Sequence, residues 1–267
     1  MAVIAAVLGV AVYAVPHTGS GSAYGSDDTA TTTTAEDTVE EDLLALPPGM
    51  DSIPGLPEIP VPGEPSDDAD PGAGTGSEQD AALRDWATRL TGVDISPRAL
   101  QAYGNAEIVL AAAKPACHLT WTTLAGIGSV ETNHGTTGGT SLGDDGKPRV
   151  LIRGPALDGT AGNKAISDTD GGRYDGDTEW DRAVGPLQFI PTTWERWRAD
   201  GDNDGDTDPN DIDDAAVAAG YYLCADGRDL SRASDWYAAV YAYNHLDSYV
   251  RSVYDRADGY GKASRPA

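Results

Sequence analysis

The chain has 267 residues, with 43 Asp and Glu against 18 Lys and Arg and a formal net charge of −25. A chain this acidic, without a basic patch, excludes nucleic acid and anionic lipid headgroups as partners held by charge. The charge is uneven: residues 1–80 carry 15 acids and no Lys or Arg, whereas all 6 Trp and 10 of the 12 Tyr lie beyond residue 80.

Residues 1–15, within "MAVIAAVLGVAVYAVPHTG", form an apolar run too short for a comfortable membrane span. They read as a signal peptide or membrane anchor, with Val12 and Ala14 in the small-residue positions before a cut after Ala14. No basic residue precedes the run, as one usually does. Export is expected, with membrane contact only through this segment. Residues 16–77 are Thr-rich and acidic, then Pro- and Gly-rich, as in "TATTTTAEDTVEEDLL" and "GLPEIPVPGEPSDDADPGAGTGS". Such a stretch buries too little apolar surface to offset its ordering entropy, and reads as a disordered, charge-swollen tether.

The folded domain is expected over 78–267 and is expected to be mainly α. "SEQDAALRDWATRL" opens with a Ser-to-Gln capping pattern and sets Leu83, Trp86 and Leu90 on one face. "SPRALQAYGNAEIVLAAAK" has Pro in its first turn and a long Ala-rich run. The third helix, in "LTWTTLAGIGSVETNHG", ends on a glutamate. Leu124 and Ile127 lie seven and four positions before Glu131, so all three share one face. A carboxylate there is paired, or desolvated with a proton to donate, or turned out to solvent in the last turn. Gly135 offers the stop.

Residues 136–182, rich in Gly and Asp with little periodicity, read as a long functional loop. "IPTTWERWRA" starts another helix with Pro at its front. "DDAAVAAGYYLCA" and "SDWYAAVYAYNHLDSYVRSVYDRAD" follow as helices, without alternating strands or internal repeats. Cys117 and Cys224, the only cysteines, make one disulfide most simply if the protein is exported. In the chain-entropy model a bridge closing so long a loop stabilises by about 4–5 kcal/mol.

Between those helices lies "DGDNDGDTDPNDIDD", residues 200–214, with acids at positions 1, 3, 5, 7, 9, 12, 14 and 15 and Gly at 6. Alternating oxygen ligands with a glycine at the bend suit a hard cation such as Ca²⁺, and so many carboxylates repel without one. The pattern follows the EF-hand through position 6. Position 12 is Asp211 rather than Glu, so a bidentate carboxylate comes from Asp211 or from farther along. The plain alternative is a solvated acidic loop.

Other chemistries fail on spacing. Glu131 and His134 resemble the Glu-x-x-His of di-iron bundles, but no second copy exists. There is no His-Glu-x-x-His motif and no Gly-x-Ser-x-Gly elbow. Cys117 and His118 are helix neighbours that do not face each other. "GTTGGTSLGDDG" lacks the preceding strand of a phosphate cradle.

In order along the chain, "GSVETNHG", "AVGPLQFIPTTW", the acidic loop and "YAYNHLDSYV" resemble lytic transglycosylases of the membrane-bound lytic murein transglycosylase B type, above all exported actinobacterial members. The resemblance covers roughly 80–258 and implies a lysozyme-like (goose-type lysozyme/lytic transglycosylase) helical domain. It implies Glu131 as the catalytic acid/base, and Gln188, Phe189, Tyr222, Tyr243, Asn244 and Tyr249 as walls of a glycan cleft. It also implies a structural Ca²⁺ held by Asp200, Asp202, Asp204, the carbonyl of Asp206 and, ahead of Asp211, Asp214. Residues 136–182 depart from the enterobacterial pattern, although "LIRGPALDG" and "DTDGGRYDGD" look like the actinobacterial loop.

The activity so implied is cleavage of the β-1,4 bond between N-acetylmuramic acid (MurNAc) and N-acetylglucosamine (GlcNAc) in peptidoglycan strands, ending in 1,6-anhydroMurNAc, with help from the sugar acetamide. The setting is cell-wall remodelling by a monomer in the wall or on the outer face of the cytoplasmic membrane. Two alternatives stand beside it: a lysozyme-type hydrolase on the same fold, and a non-catalytic cell-wall binding module stabilised by Ca²⁺.

Overall fold

The computed structural model describes residues 75–160 and 163–265. The apolar segment 1–15 and nearly all of the tether lie outside the described residues. Among the described residues the architecture is mainly α, with seven helices: α1 (Thr75–Arg89), α2 (Pro97–Ala113), α3 (Trp121–Thr132), α4 (Pro191–Trp197), α5 (Ile212–Leu223), α6 (Ala233–Tyr243) and α7 (Asp247–Ala263).

Helix α3 is the axis of the domain. Residues Trp121 to Gly128 are all buried, not only the face that carries Leu124 and Ile127. Small residues make this possible. A Cβ on Gly126 would lie 2.8 Å from the Val253 carbonyl oxygen of α7, and one on Gly128 would lie 2.0 Å from the Tyr103 hydroxyl of α2. Helix α5 is buried in the same way from Ile212 to Gly220 and packs on α2. Helix α2 has Pro97 in its first turn, as expected, and Ser96 caps it by accepting from the Ala99 amide at 3.3 Å.

Cys117, in a short turn before α3, is bonded to Cys224, which ends α5, with Cα atoms 5.5 Å apart. The bridge therefore ties the entrance of α3 to the exit of α5.

Three expectations need correction. Helix α1 begins at Thr75, so its start lies ahead of the expected Ser77. The loop 136–182 is not wholly irregular. Strand β1 (Arg153–Ala156) pairs antiparallel with β2 (Arg182–Val184) across a register break, and bridges Asp158–Ala165 and Ser167–Trp180 continue the pairing. Gly154 and Pro155 hide that strand from propensity. Finally, the expected helix over 234–258 is two helices. Asn244 (φ −146°, ψ 120°) and Leu246 (φ −132°, ψ 125°) are extended between α6 and α7. On a continuous helix Tyr243 and Tyr249 would point about 120° apart. The break lets their rings lie parallel, 6.5 Å apart at 4°.

Candidate functional site

The end of α3 carries Glu131 into a cleft lined by Glu131, Gln188, Phe189, Ile190, Thr193, Tyr222 and Tyr243. The residues that close α3 explain how. Asn133 (φ 50°) and His134 (φ 60°) turn left-handed after the helix, and the His134 amide reaches back to the Gly128 carbonyl at 2.8 Å. Thr132, buried, donates to the Pro186 carbonyl at 2.6 Å and accepts from the Gly135 amide at 2.8 Å. One hydroxyl thus fastens the helix end to the "GPLQF" turn.

That turn is built by backbone. Val184 and Phe189 exchange both amide-to-carbonyl bonds, at 2.8 and 3.0 Å. Gly185 has φ +75°, and a Cβ there would lie 1.9 Å from the Pro209 carbonyl oxygen, so only glycine fits. Gln188 is left-handed (φ 52°), and its Nε2 donates to the Gly185 carbonyl at 2.9 Å. Phe189 is buried, edge-on to Tyr243 at 6.1 Å.

Two tyrosines, Tyr222 and Tyr243, line the cleft; Tyr249, expected there as well, is buried with its ring parallel to that of Tyr243 and reaches the site only through Glu131. Tyr249 donates to Glu131 Oε1 at 2.6 Å, Tyr243 to the Leu187 carbonyl at 2.7 Å, and Tyr222 to the Ala242 carbonyl at 2.6 Å. Tyr222 meets Tyr243 edge to face at 5.6 Å. Glu131 is the one carboxyl in the lining. Burial raises its pKa to about 7, against the opposing pull of the Tyr249 hydrogen bond. Burial also raises the Tyr243 and Tyr249 hydroxyls far above their usual range, with the nearby Glu131 charge adding to it. Both stay neutral donors.

Asn244 does not join the lining. It is buried, and its Oδ1 has no hydrogen-bond partner. His134 turns away from Glu131 and lies between the Tyr103 hydroxyl, 3.1 Å from Nδ1, and the Tyr260 hydroxyl, 2.9 Å from Nε2. Burial lowers its pKa to about 4, so it is a neutral part of the scaffold. Ile190, Thr193 and Thr132 had no distinguishing sequence pattern. Nor did Gly154 of β1, where a Cβ would stand 3.1 Å from Gln188 Oε1 and 3.2 Å from the Ala183 Cβ.

The acidic loop lies elsewhere. Asp200, Asp202 and Asp214 each bring a carboxylate oxygen within 4.8 Å of the others, and Asp202 also groups with Asp211 and Asp213. Asp214, buried at the start of α5, accepts from the Gly201 amide at 2.6 Å and the Asp208 amide at 2.8 Å. Its burial, with the charges of Asp202 and Asp200, raises its pKa to about 6. Asp204 and Asp206 stand outside these groups; the Asp204 amide donates to Asp200 at 3.1 Å, and the Asp206 amide to Asp204 at 2.8 Å. Asp211 caps α5 by accepting from the Asp213 amide at 3.0 Å, and burial raises its pKa as well. Arg98 of α2 pairs with Asp213 through Nη1 and Nη2.

A polar hollow of about 260 Å³ separates this loop from α1 and α2, lined by Arg84, Arg98, Gln101 and Asp202 among others. It lacks the aromatic wall that desolvates Glu131. Comparison with protein-family models, curated proteins and solved structures finds no match to this chain.

Proposed function

We propose that this chain is a peptidoglycan lytic transglycosylase on a lysozyme-like helical domain, exported to the cell wall and acting on glycan strands as a monomer. The observation that carries the reading is Glu131: a single carboxyl, raised to about 7, at the edge of an aromatic cleft. A carboxyl that is protonated near neutral pH is a general acid, and aromatic walls suit the apolar faces of sugar rings.

Most glycosidases divide the work between two carboxylates. With one in the cleft, the proton has to travel out and back. Glu131 donates its proton to the GlcNAc O4 as the bond from MurNAc C1 breaks. The sugar acetamide shares the positive charge that develops at C1. The MurNAc 6-hydroxyl oxygen then bonds to C1 and returns its proton to Glu131, leaving a 1,6-anhydro ring and regenerated acid. Tyr249 holds Oε1, which fixes the carboxyl plane and leaves Oε2 for the proton. Gln188, Phe189, Tyr222 and Tyr243 position the sugars.

The donor set of the acidic loop fits Ca²⁺, a hard cation that takes carboxylate and carbonyl oxygens. Asp200, Asp202 and Asp214 already converge, whereas the alternative Asp211 groups with Asp202 and Asp213 and accepts from the Asp213 amide. We assign Asp200, Asp202, Asp204, the Asp206 carbonyl and Asp214 as its holders. The ion supplies neutralising charge to the loop and takes no part in the bond cleavage.

Digestion of purified peptidoglycan followed by mass spectrometry of the muropeptides tests the reaction. Anhydro ends, one water lighter than reducing ends, are the expected product. Reducing ends would make the protein a lysozyme-type hydrolase, and the absence of any cleavage would leave a binding module.

A further inference from the structure

The chain is strongly acidic, yet one margin of the cleft is not. Helix α4 puts Thr193 into the cleft lining. Arg196 and Trp197 follow three and four positions later, on the same face of the helix, and so prolong that wall. Trp197 meets the cleft tyrosine Tyr222 edge to face, with ring centroids 5.8 Å apart. The Arg196 guanidinium lies over the Trp197 ring, 5.2 Å from its centroid. Arg228 approaches Tyr222 separately: its Nη1 reaches the Tyr222 and Leu223 carbonyls at 3.5 Å, and its Nη2 pairs with Asp226 at 3.4 Å. The positive charges of Arg228 and Arg196 both act on the Tyr222 hydroxyl, against the upward shift caused by its burial.

What singles out Arg196 is that its charge is unspent. The adjacent Glu195 is taken by Arg173 at 3.3 Å, by Arg198 at 3.7 Å and by the Tyr174 hydroxyl. Two arginines and a tyrosine therefore share one glutamate, and Arg196 has no ion pair among the described residues. It is exposed to solvent but steered by the indole face beneath it. A guanidinium so placed, on a molecule that otherwise repels anions, favours an anionic group arriving with the substrate.

We propose that Arg196 and Arg228 form an anion-binding margin of the cleft that takes the carboxylates of peptide stems carried by the glycan. The inference rests on the peptidoglycan reading above and adds to it a preference for strands whose stems keep their carboxylates free. In such strands the muramic lactyl group is tied up as an amide, so the negative charge lies on the stem.

The test is a binding titration of the full chain carrying Glu131→Gln, followed by tryptophan fluorescence. One probe is soluble glycan strands bearing peptide stems; the other is the same strands with their carboxylates blocked by amide coupling. Blocking is expected to weaken binding about tenfold, and Arg196→Gln to weaken binding of the free-carboxylate strand about threefold while leaving the blocked strand unchanged. Arg228→Gln should act in the same direction, but Arg228 also bonds α5 carbonyls, so the exposed Arg196 decides. Equal affinity for the two strands overturns the inference, as does an equal loss on both in Arg196→Gln. If neither strand binds, the peptidoglycan reading itself fails and takes this inference with it.

Discussion

The cleft and the acidic loop both hold carboxyl groups raised above their ordinary pKa, and they do so by opposite means. Glu131 is raised to about 7 by burial beside Phe189, Tyr243 and Tyr249, without the charge of a neighbouring carboxylate. Asp214 is raised to about 6 by burial together with the charges of Asp202 and Asp200. An isolated, desolvated carboxyl solves its problem by keeping a proton, which makes it an acid. A crowded group of carboxylates gains most from a shared cation, which is the role proposed for the loop. The two regions are joined covalently, because Cys117–Cys224 links the start of the helix that ends in Glu131 to the end of the helix that begins beside Asp214.

The largest effect that can break this comparison comes from Glu131→Gln. The amide keeps the shape and can still accept from Tyr249, but it has no proton to deliver. Turnover of peptidoglycan should fall by about 10³-fold or more while circular dichroism and glycan binding persist. Wild-type activity in this variant would remove Glu131 from the chemistry. Next in size is reduction of Cys117–Cys224. Chemical denaturation should show a loss of about 4 kcal/mol, since the bridge closes a loop of 107 positions. A loss confined to α5 and sparing α3, seen by hydrogen exchange, would mean that the two regions are independent.

Removing Ca²⁺ should cost less. Binding to the native state alone stabilises by about 2.7 kcal/mol when the ion is at 100 times its Kd, so calorimetry should show a melting temperature that climbs with Ca²⁺. Asp214→Asn should abolish that climb and leave the product spectrum intact. A melting temperature indifferent to Ca²⁺ and chelator would mean a solvated loop.

A smaller and opposite effect belongs to the cleft. Because the folded pKa of Glu131 is about 7, against 4.5 ordinarily, the native state binds more protons than the unfolded one between those values. Stability contributed by this group is therefore lost as pH rises through that window. Glu131→Gln should match the wild type near pH 4 and exceed it by about 2 kcal/mol at pH 8, in urea melts. The pH–rate profile should fall on the alkaline side of about 7. A variant no more stable at pH 8 would show that the carboxyl is not desolvated.

Some of this was legible in the sequence and some was not, for physical reasons. Helix α5 reads clearly because its Ala-rich run is preceded by a carboxylate cap, and Glu131 stands out because a charge ends an apolar helix. The disulfide follows from there being only two cysteines. The break after Tyr243 was hidden, since "YAYNHLDSYV" has no Gly or Pro and good helical periodicity. It is set instead by tertiary demand, with one tyrosine hydroxyl drawn to Leu187 and the other to Glu131. Strand β1 was hidden because backbone pairing with β2, rather than side-chain alternation, makes it a strand. Thr132 was invisible because a threonine hydroxyl reaching the Pro186 carbonyl, 54 positions away, leaves no local trace.

Strand β1 also supplies the smallest effect. Gly154 has no positive φ, so the backbone there accepts any side chain, and only space argues for glycine. A Cβ would sit 3.1 Å from Gln188 Oε1, so Gln188 must swing aside, while its Nε2 is anchored to Gly185. Gly154→Val should therefore act on the cleft mainly through Gln188, the closest contact, with a smaller push on the buried Ala183 of β2, whose Cβ would lie 3.2 Å away. The expected result is a roughly tenfold fall in kcat/KM, with little change in melting temperature. Combining it with Gln188→Ala separates the two routes. If the valine acts by displacing the glutamine, it has nothing left to displace, and the double variant should be no worse than Gln188→Ala alone. If the two losses simply add, the side chain at 154 obstructs the glycan directly, and β1 is a wall of the cleft in its own right.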